Sequence, residues 1–146
     1  MKAKFRSCFF CVALCCTLGI LVGCEEPLEF GQVSGTVSLN GKPLDEVLVM
    51  FLPEPSADNT GGAHSECVSD SDGKYELVYS RDPQVKGALV GQHRVVIEDI
   101  AAENARDEYR PIRIQDAYSS SARTPLKFEV ATGEQTIDLE LGRRKK

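Results

Sequence analysis

Cysteine and histidine offer the most reactive chemistry in this sequence of 146 residues, and they are unevenly distributed. Five of the six cysteines lie within the first 24 residues: Cys8, Cys11, Cys15, Cys16 and Cys24. Cys67, His64 and His93 are the remaining residues of these two types. Cys67 and His64 are three positions apart, so in a strand their side chains would point to opposite faces and could not act as nucleophile and base. This distribution argues against a cysteine-dependent catalytic site.

The segment "DSDG" at residues 70–73 holds the best candidates for metal binding, Asp70 and Asp72. Calcium takes six to eight oxygen ligands, and a helix–loop–helix calcium loop needs a glutamate at its twelfth position, where this chain has Arg81. The alternative is a tight turn, in which aspartate and serine accept local backbone hydrogen bonds and Gly73 takes a positive φ. Zinc would require a His/Cys cluster that the chain lacks. We therefore expect a turn, and no metal or other cofactor.

The first 23 residues have the order of a secretory signal peptide. A basic start, "MKAKFR", precedes an apolar run from Phe9 to Val22. That run is shorter than the ~20 apolar residues that a membrane-spanning helix needs. The alternative is an uncleaved membrane anchor.

The end of this run, "LVGC" at residues 21–24, resembles the lipobox of bacterial lipoproteins. The resemblance implies cleavage between Gly23 and Cys24, followed by attachment of diacylglycerol, with fatty acyl chains such as palmitate, to the sulfur of Cys24. It also implies a mature protein in the bacterial cell envelope that is tethered to a membrane by this lipid. The alternative is ordinary cleavage that leaves Cys24 as a free thiol. The other four N-terminal cysteines would be lost with the signal peptide, where they serve as small apolar residues.

The predicted mature chain, residues 24–146, is strongly acidic. The whole sequence has a formal net charge of −5, and cleavage would remove Lys2, Lys4 and Arg6 but no acidic residue. An acidic surface argues against a nucleic-acid partner. The basic tail "RRKK" at residues 143–146 is either a solvated end or a contact with anionic headgroups. Cys67, without a partner for a disulfide, is expected to be a buried small residue, and the alternative is a reactive thiol.

Residues 32–142, which follow a short connector at 24–31, have the alternation of β-strands. "QVSGTVSL" places Val33, Gly35, Val37 and Leu39 on one face, and Asn40-Gly41 is a strong hairpin signal. The continuous apolar run "VLVMFL" at residues 47–52 predicts a strand covered on both faces. Further strands are expected at "SECVS", "KYELVYS" and "QHRVVIED".

Two loops and a final pair of strands complete this domain. Residues 53–64 and 81–91 are predicted as loops. Residues 100–124 have no clear pattern, with one helical turn expected between 101 and 108. "LKFEV" and "TIDLEL" predict strands joined by the turn "ATGEQ". About seven strands and no long helix predict an all-β fold, an immunoglobulin-like or transthyretin-like Greek-key β-sandwich.

Several of these motifs, in this order, resemble the carboxypeptidase regulatory-like domain, which has a transthyretin-like fold. They are "VSGTVSLNGKPLDEVLVMFLP", "SDSDGKYEL" and "ALVGQHRVVI". The resemblance covers about residues 32–141, with Ser69 and His93 where the family commonly has threonine and tyrosine. It implies a fold and a non-catalytic role beside an enzyme or in a free-standing lipoprotein. Hydroxyisourate hydrolase, an enzyme with this fold, ends in Tyr-Arg-Gly-Ser, whereas this chain ends in "LGRRKK".

The patternless segment is the best candidate for a recognition loop, because long loops on compact domains often carry function. It is rich in arginine and tyrosine, which are enriched at binding surfaces. The candidate residues are Arg106, Tyr109, Arg110, Arg113, Tyr118 and Arg123. The alternative is structural, with Tyr109 and Ile112 packing the loop onto the sandwich and the arginines pairing with nearby acidic residues.

These observations favour a protein that is not an enzyme. We expect a lipid-anchored envelope module with a binding or structural role, whose partner beyond the membrane is an envelope protein or a glycan. One alternative is an accessory subunit that positions or stabilises a separate envelope enzyme. A small hydrolase is a further alternative, for which the sequence supplies few catalytic residues.

Overall fold

The protein is an all-β sandwich of two sheets. A computed structural model describes residues 27–55, 62–105 and 110–142, with the backbone alone at residues 102 and 103. The predicted signal peptide, Cys24 and the basic tail lie outside the described residues. None of the helices in the described ranges is long and apolar enough to cross a membrane.

Twelve strands and one short helix make up the described residues. In chain order they are β1 (Phe30–Leu39), β2 (Lys42–Pro43), β3 (Val47–Pro53), β4 (Ser65–Val68), β5 (Lys74–Glu76), β6 (Val78–Tyr79), β7 (Asp82–Lys86), β8 (Ala88–Leu89), β9 (Gly91–Asp99), α1 (Ala101–Asn104), β10 (Lys127–Val130), β11 (Gly133–Thr136) and β12 (Leu139–Leu141).

Sheet 1 is built around the long strand β1. On one side β1 pairs in parallel with β11 and then with β12. On its other side it pairs antiparallel with β2, β5 and β8. Several short strands therefore share one long template, which makes the number of strands larger than the seven or so expected.

Sheet 2 has the strand order β10-β9-β3-β4-β6-β7. Its centre is the antiparallel pair β3 and β9, in register from Val47 opposite Asp99 to Pro53 opposite His93. The two sheets face each other across a core to which both contribute, including Val33, Val37, Phe51 and Ile97. Alternating burial along β1, β3 and β9 follows from the two-residue period of a strand, which directs every second side chain into this core.

Several local predictions are confirmed. Asn40 and Gly41 both have positive φ, 51° and 75°, in the turn between β1 and β2. Tyr75, Leu77 and Tyr79, which alternate along the predicted strand "KYELVYS", all point into the core. That strand is divided at Leu77, however, into β5 of sheet 1 and β6 of sheet 2. The expected helical turn is present as α1 at its first four residues.

Three local predictions were wrong. Residues 81–91 contain β7 and β8 rather than a loop, because the polar "DPQVK" is an exposed edge strand with no dry face to create alternation. "TIDLEL" is not one strand, since Ile137 and Asp138 separate β11 from β12. The predicted turn "ATGEQ" contributes its last three residues, Gly133, Glu134 and Gln135, to β11. "VLVMFL" is fully buried on one face only, because its even-numbered residues stay partly exposed.

The two ends of the sandwich are defined by the two ends of β1. Phe30, at the start of β1, lies at one end, which we call the near end. Leu39 lies at the other, which we call the far end. Since a strand rises about 3.3 Å per residue, these ends are about 30 Å apart. Leu141 pairs with Leu39, so Gly142 also lies at the far end.

Candidate functional site at the far end

The far end collects the turn after β2, the end of β9 and the start of the segment that follows α1. Val47 at the start of β3 pairs with Asp99 at the end of β9, which brings Asp45 and Glu46 beside Asp99. The Ile100 backbone N–H donates to the Glu46 carbonyl oxygen (3.1 Å), which fixes this arrangement. The returning segment from residue 110 then passes over these acidic side chains.

Arg113 is the centre of this end. Its Nη2 donates to Asp99 Oδ1 (2.7 Å) and to the Asp45 carbonyl oxygen (2.7 Å), and its Nη1 donates to Asp45 Oδ1 (2.8 Å). Its Nε lies 3.1 Å from both oxygens of Asp99, and its backbone N–H donates to Asp99 Oδ2 (2.6 Å). All three guanidinium nitrogens are thus used inside the protein, and the next residue, Ile114, is fully buried in the core.

The Asp99 side chain is only 2% exposed, so its charge depends on Arg113. Burial raises the pKa of Asp99, but the hydrogen bonds and positive charge of Arg113 outweigh burial and lower the pKa below its ordinary value. The hydrogen bonds to Asp99 likewise raise the pKa of Arg113. The pair is therefore ionised at neutral pH and acts as a clamp between β9 and the segment from residue 110.

Glu46, at this end, has a φ of 50°, which non-glycine residues seldom adopt. Its carboxylate accepts hydrogen bonds from Asn104 Nδ2 (3.1 Å) and Arg110 Nη1 (3.4 Å). These contacts join this turn to both ends of the segment that contains Arg106 and Tyr109. Those two predicted recognition residues lie outside the described residues.

Residues 118–126 act as an irregular strand along the edge of β9. The Ile97 N–H donates to the Tyr118 carbonyl oxygen (3.0 Å), and the Ser119 hydroxyl donates to the Ile97 carbonyl oxygen (3.1 Å). Two residues earlier on β9, the Val95 N–H donates to the Leu126 carbonyl oxygen (2.9 Å) and the Thr124 hydroxyl donates to the Val95 carbonyl oxygen (2.7 Å). Serine and threonine side chains thus replace the backbone donors of a regular neighbouring strand.

The other predicted recognition residues have mostly internal roles. Tyr118 packs against the core, and its hydroxyl accepts from the Gly142 N–H (3.0 Å). Arg123 Nη2 donates to the Asp116 carbonyl oxygen (3.4 Å). Arg110 is half exposed beside Glu46. The structure therefore brings Arg110 and Arg113 together at the far end and uses Tyr118 and Arg123 to shape the segment that follows.

The segment "DSDG" forms the tight turn that was expected. Asp70 Oδ1 accepts from the backbone N–H groups of Asp72 (2.9 Å) and Lys74 (2.8 Å), and Gly73 has a φ of 74°. Asp72 is exposed beside Lys74. Within the described ranges, no three acidic, histidine or cysteine side chains are grouped as metal ligands would be.

The histidines and Cys67 occupy separate environments. His93 is 1% exposed among core residues, with its Nδ1 3.0 Å from the Gly91 carbonyl oxygen. His64 lies at the surface, 3.1 Å from Glu66. Cys67 is half-buried against the core, and its thiol donates to the Val68 carbonyl oxygen (3.3 Å). These side chains make no contact with one another that would form a nucleophile–base pair.

Asp45, Glu46 and Asp99 were not among the candidate site residues predicted from the sequence. A signal for Asp99 was nevertheless present. Alternation along "VVIED" places it on the inner face with Val95 and Ile97, and a charged residue on an inner face needs a partner. The identity of that partner, 14 residues away in an irregular segment, could not be derived from periodicity.

The structure is of a β-sandwich class that many unrelated proteins share. No family model matches the sequence, and comparison with curated proteins gives no match. Among solved structures, the chain is similar to a DUF3823 family protein from Parabacteroides merdae ATCC 43184, with a TM-score of 0.43 and 14% sequence identity. The alignment covers 80% of this chain and 48% of that one, so the chain spans about half the length of that protein. This similarity does not carry an assignment of function.

Proposed function

We propose that this protein is a lipid-anchored module of the bacterial cell envelope that binds an envelope protein at its far end and catalyses no reaction. The proposal places the acyl chains on Cys24 and the binding surface around Arg110, Glu46 and the exposed turn at Asp72. It also places the sandwich in the carboxypeptidase regulatory-like class. The assignment to this class is supported by the two turns at residues 40–41 and 70–73, which belong to the motifs that resemble the class.

The observation that carries the proposal is the direction of β1. Phe30 is six positions after Cys24, so the connector reaches about 20 Å at most and would keep the near end close to the membrane. The far end would then face away from the membrane. The acidic composition is unfavourable for binding nucleic acid, which agrees with a location in the cell envelope.

The clamp at Arg113 supports a binding role for this end. Recognition surfaces work best when their backbone is fixed before the partner arrives, because less conformational entropy is then lost on binding. Arg113 and Ile114 fix the start of the segment, and Tyr118 to Leu126 fix its remainder along β9. The exposed charged groups that this fixed backbone carries are suited to binding a partner protein with a polar surface.

The anchor is tested by Cys24→Ala in cells supplied with labelled palmitate. We expect loss of the label, accumulation of the uncut precursor or release from membranes. Cys16→Ala, which changes a cysteine inside the apolar run, is the matched control and should behave as wild type. Wild-type labelling and membrane fractionation of Cys24→Ala would show that the anchor is wrongly assigned.

The binding end is tested with a photo-crosslinking residue at position 72, at the far end, and a second at position 82, in β7. We expect a discrete protein adduct from position 72 only. Recurrent capture of one enzyme would identify the accessory-subunit alternative. Equal labelling from both positions, or labelled glycan in place of protein, would contradict the proposed surface or the proposed class of partner.

A further inference from the structure

The turn between β1 and β2 contains the pair Asn40-Gly41, the most reactive asparagine sequence in the chain. Asparagine is thermolabile, because the backbone nitrogen of the following residue can attack its side-chain amide carbon. Glycine hinders this attack least, since it has no side chain. The other two asparagines, Asn59 and Asn104, precede threonine and alanine. The sequence therefore marks Asn40 as the asparagine most prone to deamidation.

Deamidation at this pair has two steps. The Gly41 nitrogen loses its proton and bonds to Cγ of Asn40, while the side-chain –NH2 gains a proton and leaves as ammonia, which closes a succinimide ring. Water then opens the ring at either carbonyl and gives aspartate or isoaspartate, with a new carboxylate. In isoaspartate the main chain passes through the side-chain carbons and is one methylene longer. The tight turn that pairs Leu39 with Lys42 has no room for this extra length.

The pair Asn40-Gly41 is open to water. Both residues are exposed, and a Cβ built on Gly41 would meet no atom within 4 Å. Water for the second step is therefore available at the turn. Since burial does not shield this pair, any protection of Asn40 must come from control of the Gly41 nitrogen.

The Gly41 nitrogen is held by Glu140 on β12. Its N–H donates to Glu140 Oε1 (2.8 Å), and the Ser38 hydroxyl donates to Oε2 of the same carboxylate. The neighbouring Asn40 N–H donates to the Leu141 carbonyl oxygen (3.1 Å), so the turn is tied to β12 at two successive nitrogens. The carboxylate of Glu140 is thus fixed against the atom that would have to attack Asn40.

A carboxylate in this position opposes the first step of deamidation. The attacking species is the deprotonated nitrogen, and both a hydrogen bond to the N–H and a negative charge beside it disfavour loss of that proton. The hydrogen bonds from Ser38 and Gly41 lower the pKa of Glu140, so this charge is present at neutral pH. A carboxylate is also far too weak a base to remove an amide proton. Attack on Asn40 would therefore require the Gly41 N–H to leave Glu140.

We propose that Asn40 is a latent deamidation site at the far end, and that Glu140 keeps it unreactive by holding the N–H of Gly41. The site becomes reactive when this carboxylate is removed or when β12 separates from β1. Deamidation then adds a negative charge to the far end and, in the molecules that form isoaspartate, lengthens the main chain of the turn. The proposal does not depend on the lipid anchor or on the proposed binding role.

The test is the rate of deamidation of the full chain, purified in mild detergent and incubated at neutral pH. Peptide mapping by mass spectrometry locates the modified residue, which gains about 1 Da. We expect folded wild-type protein to deamidate at Asn40 at least about tenfold more slowly than the same protein in guanidinium chloride. Folded Glu140→Ala should deamidate at least about tenfold faster than folded wild type, because a hydrogen bond to a charged group is strong enough to change a rate by this factor.

Asp138→Ala is the matched control, because Asp138 also accepts a backbone N–H of β1, from Thr36 (2.9 Å), four residues before Asn40. This variant should deamidate as slowly as wild type. Ser38→Ala, which removes the hydroxyl that orients Glu140, should accelerate deamidation less than Glu140→Ala does.

Circular dichroism would verify that each variant is folded, and Ser38→Ala decides the matter if Glu140→Ala does not fold. Folded wild-type protein that deamidates as fast as the unfolded chain overturns the proposal. A folded Glu140→Ala that deamidates as slowly as wild type also overturns it, as does an equal acceleration in Asp138→Ala. Where Ser38→Ala alone can be measured, a wild-type rate in that variant has the same meaning.

Discussion

The carboxylate of Asp99 accepts hydrogen bonds from both the backbone and the side chain of Arg113. One residue thus fixes the position of the chain and supplies the charge that the buried carboxylate needs. The same guanidinium reaches Asp45, so a single arginine connects β9, the turn before β3 and the segment after α1. This connection makes the far end one unit rather than three separate loops.

Arg113→Ala should lower the free energy of unfolding by about 3 kcal/mol, because it leaves the buried charge of Asp99 without compensation. Urea unfolding monitored by circular dichroism measures this loss. Arg123→Ala is the matched control, since Arg123 makes one long hydrogen bond to a carbonyl oxygen and its removal should change stability by less than about 0.5 kcal/mol. Equal losses of unfolding free energy in the two variants would show that the contacts of Arg113 contribute no more to stability than the single hydrogen bond of Arg123.

His93 should make the protein less stable in mild acid. Burial lowers its pKa from 6.5, against the opposing effects of the Gly91 carbonyl and Glu54. As the pH falls below about 6.5, the unfolded chain binds a proton that the folded chain does not, so the free energy of unfolding decreases, by at most about 1.4 kcal/mol per pH unit. Above pH 6.5 this contribution is absent.

His93→Gln should flatten the dependence of unfolding free energy on pH between about 6.5 and 5, because it removes the side chain that takes up a proton more readily in the unfolded chain. Urea midpoints at several pH values provide the comparison. An unchanged slope in His93→Gln would mean that His93 takes up its proton equally well in the folded protein.

The periodicity of apolar residues predicted the strands that bury one face in the core. Val33 and Val37 alternate with polar residues, and Asn40-Gly41 supplies a local turn, so both features are encoded by near neighbours. Polar β7 gave no such signal, because an exposed edge strand has no buried face. The division of the last strand at Ile137 depends on its contacts with β1, which are remote in sequence.

The candidate site was predictable only as a segment. Its lack of periodicity and its arginines and tyrosines marked residues 100–124, but not which side chains face inward. Arg113 and Tyr118 were candidates for recognition on composition, and the structure uses them for internal contacts. The difference arises because an arginine beside a buried aspartate and an arginine at a binding surface have the same local sequence signature.

Thr124→Val should cost about 1–3 kcal/mol of unfolding free energy, although it conserves volume. Thr124 is 7% exposed, and its hydroxyl is the donor to the Val95 carbonyl oxygen, which would be left buried without this bond. Thr132→Val, at an exposed bend, should be close to neutral. Chemical denaturation of the two variants separates loss of the hydrogen bond from the general effect of removing a hydroxyl. A neutral Thr124→Val would mean that the irregular strand along β9 does not depend on this side chain.

Gly35→Ala should be among the most destabilising single substitutions in the sandwich. A Cβ at this position would lie 2.0 Å from the Ile137 carbonyl oxygen, which is backbone and cannot rotate away. That carbonyl is held by the Tyr75 hydroxyl (2.6 Å), and the Ile137 N–H is held by the Ser34 carbonyl oxygen (2.8 Å). Relief of the clash would require β1 to separate from the junction of β11 and β12, so we expect the free energy of unfolding to fall by about 3 kcal/mol or more.

The control for this substitution is Ser34→Ala, at an exposed neighbour on the same strand, which should change the midpoint of thermal unfolding little. If Gly35→Ala unfolds at the same temperature as Ser34→Ala, the close approach of Ile137 to β1 is incorrect.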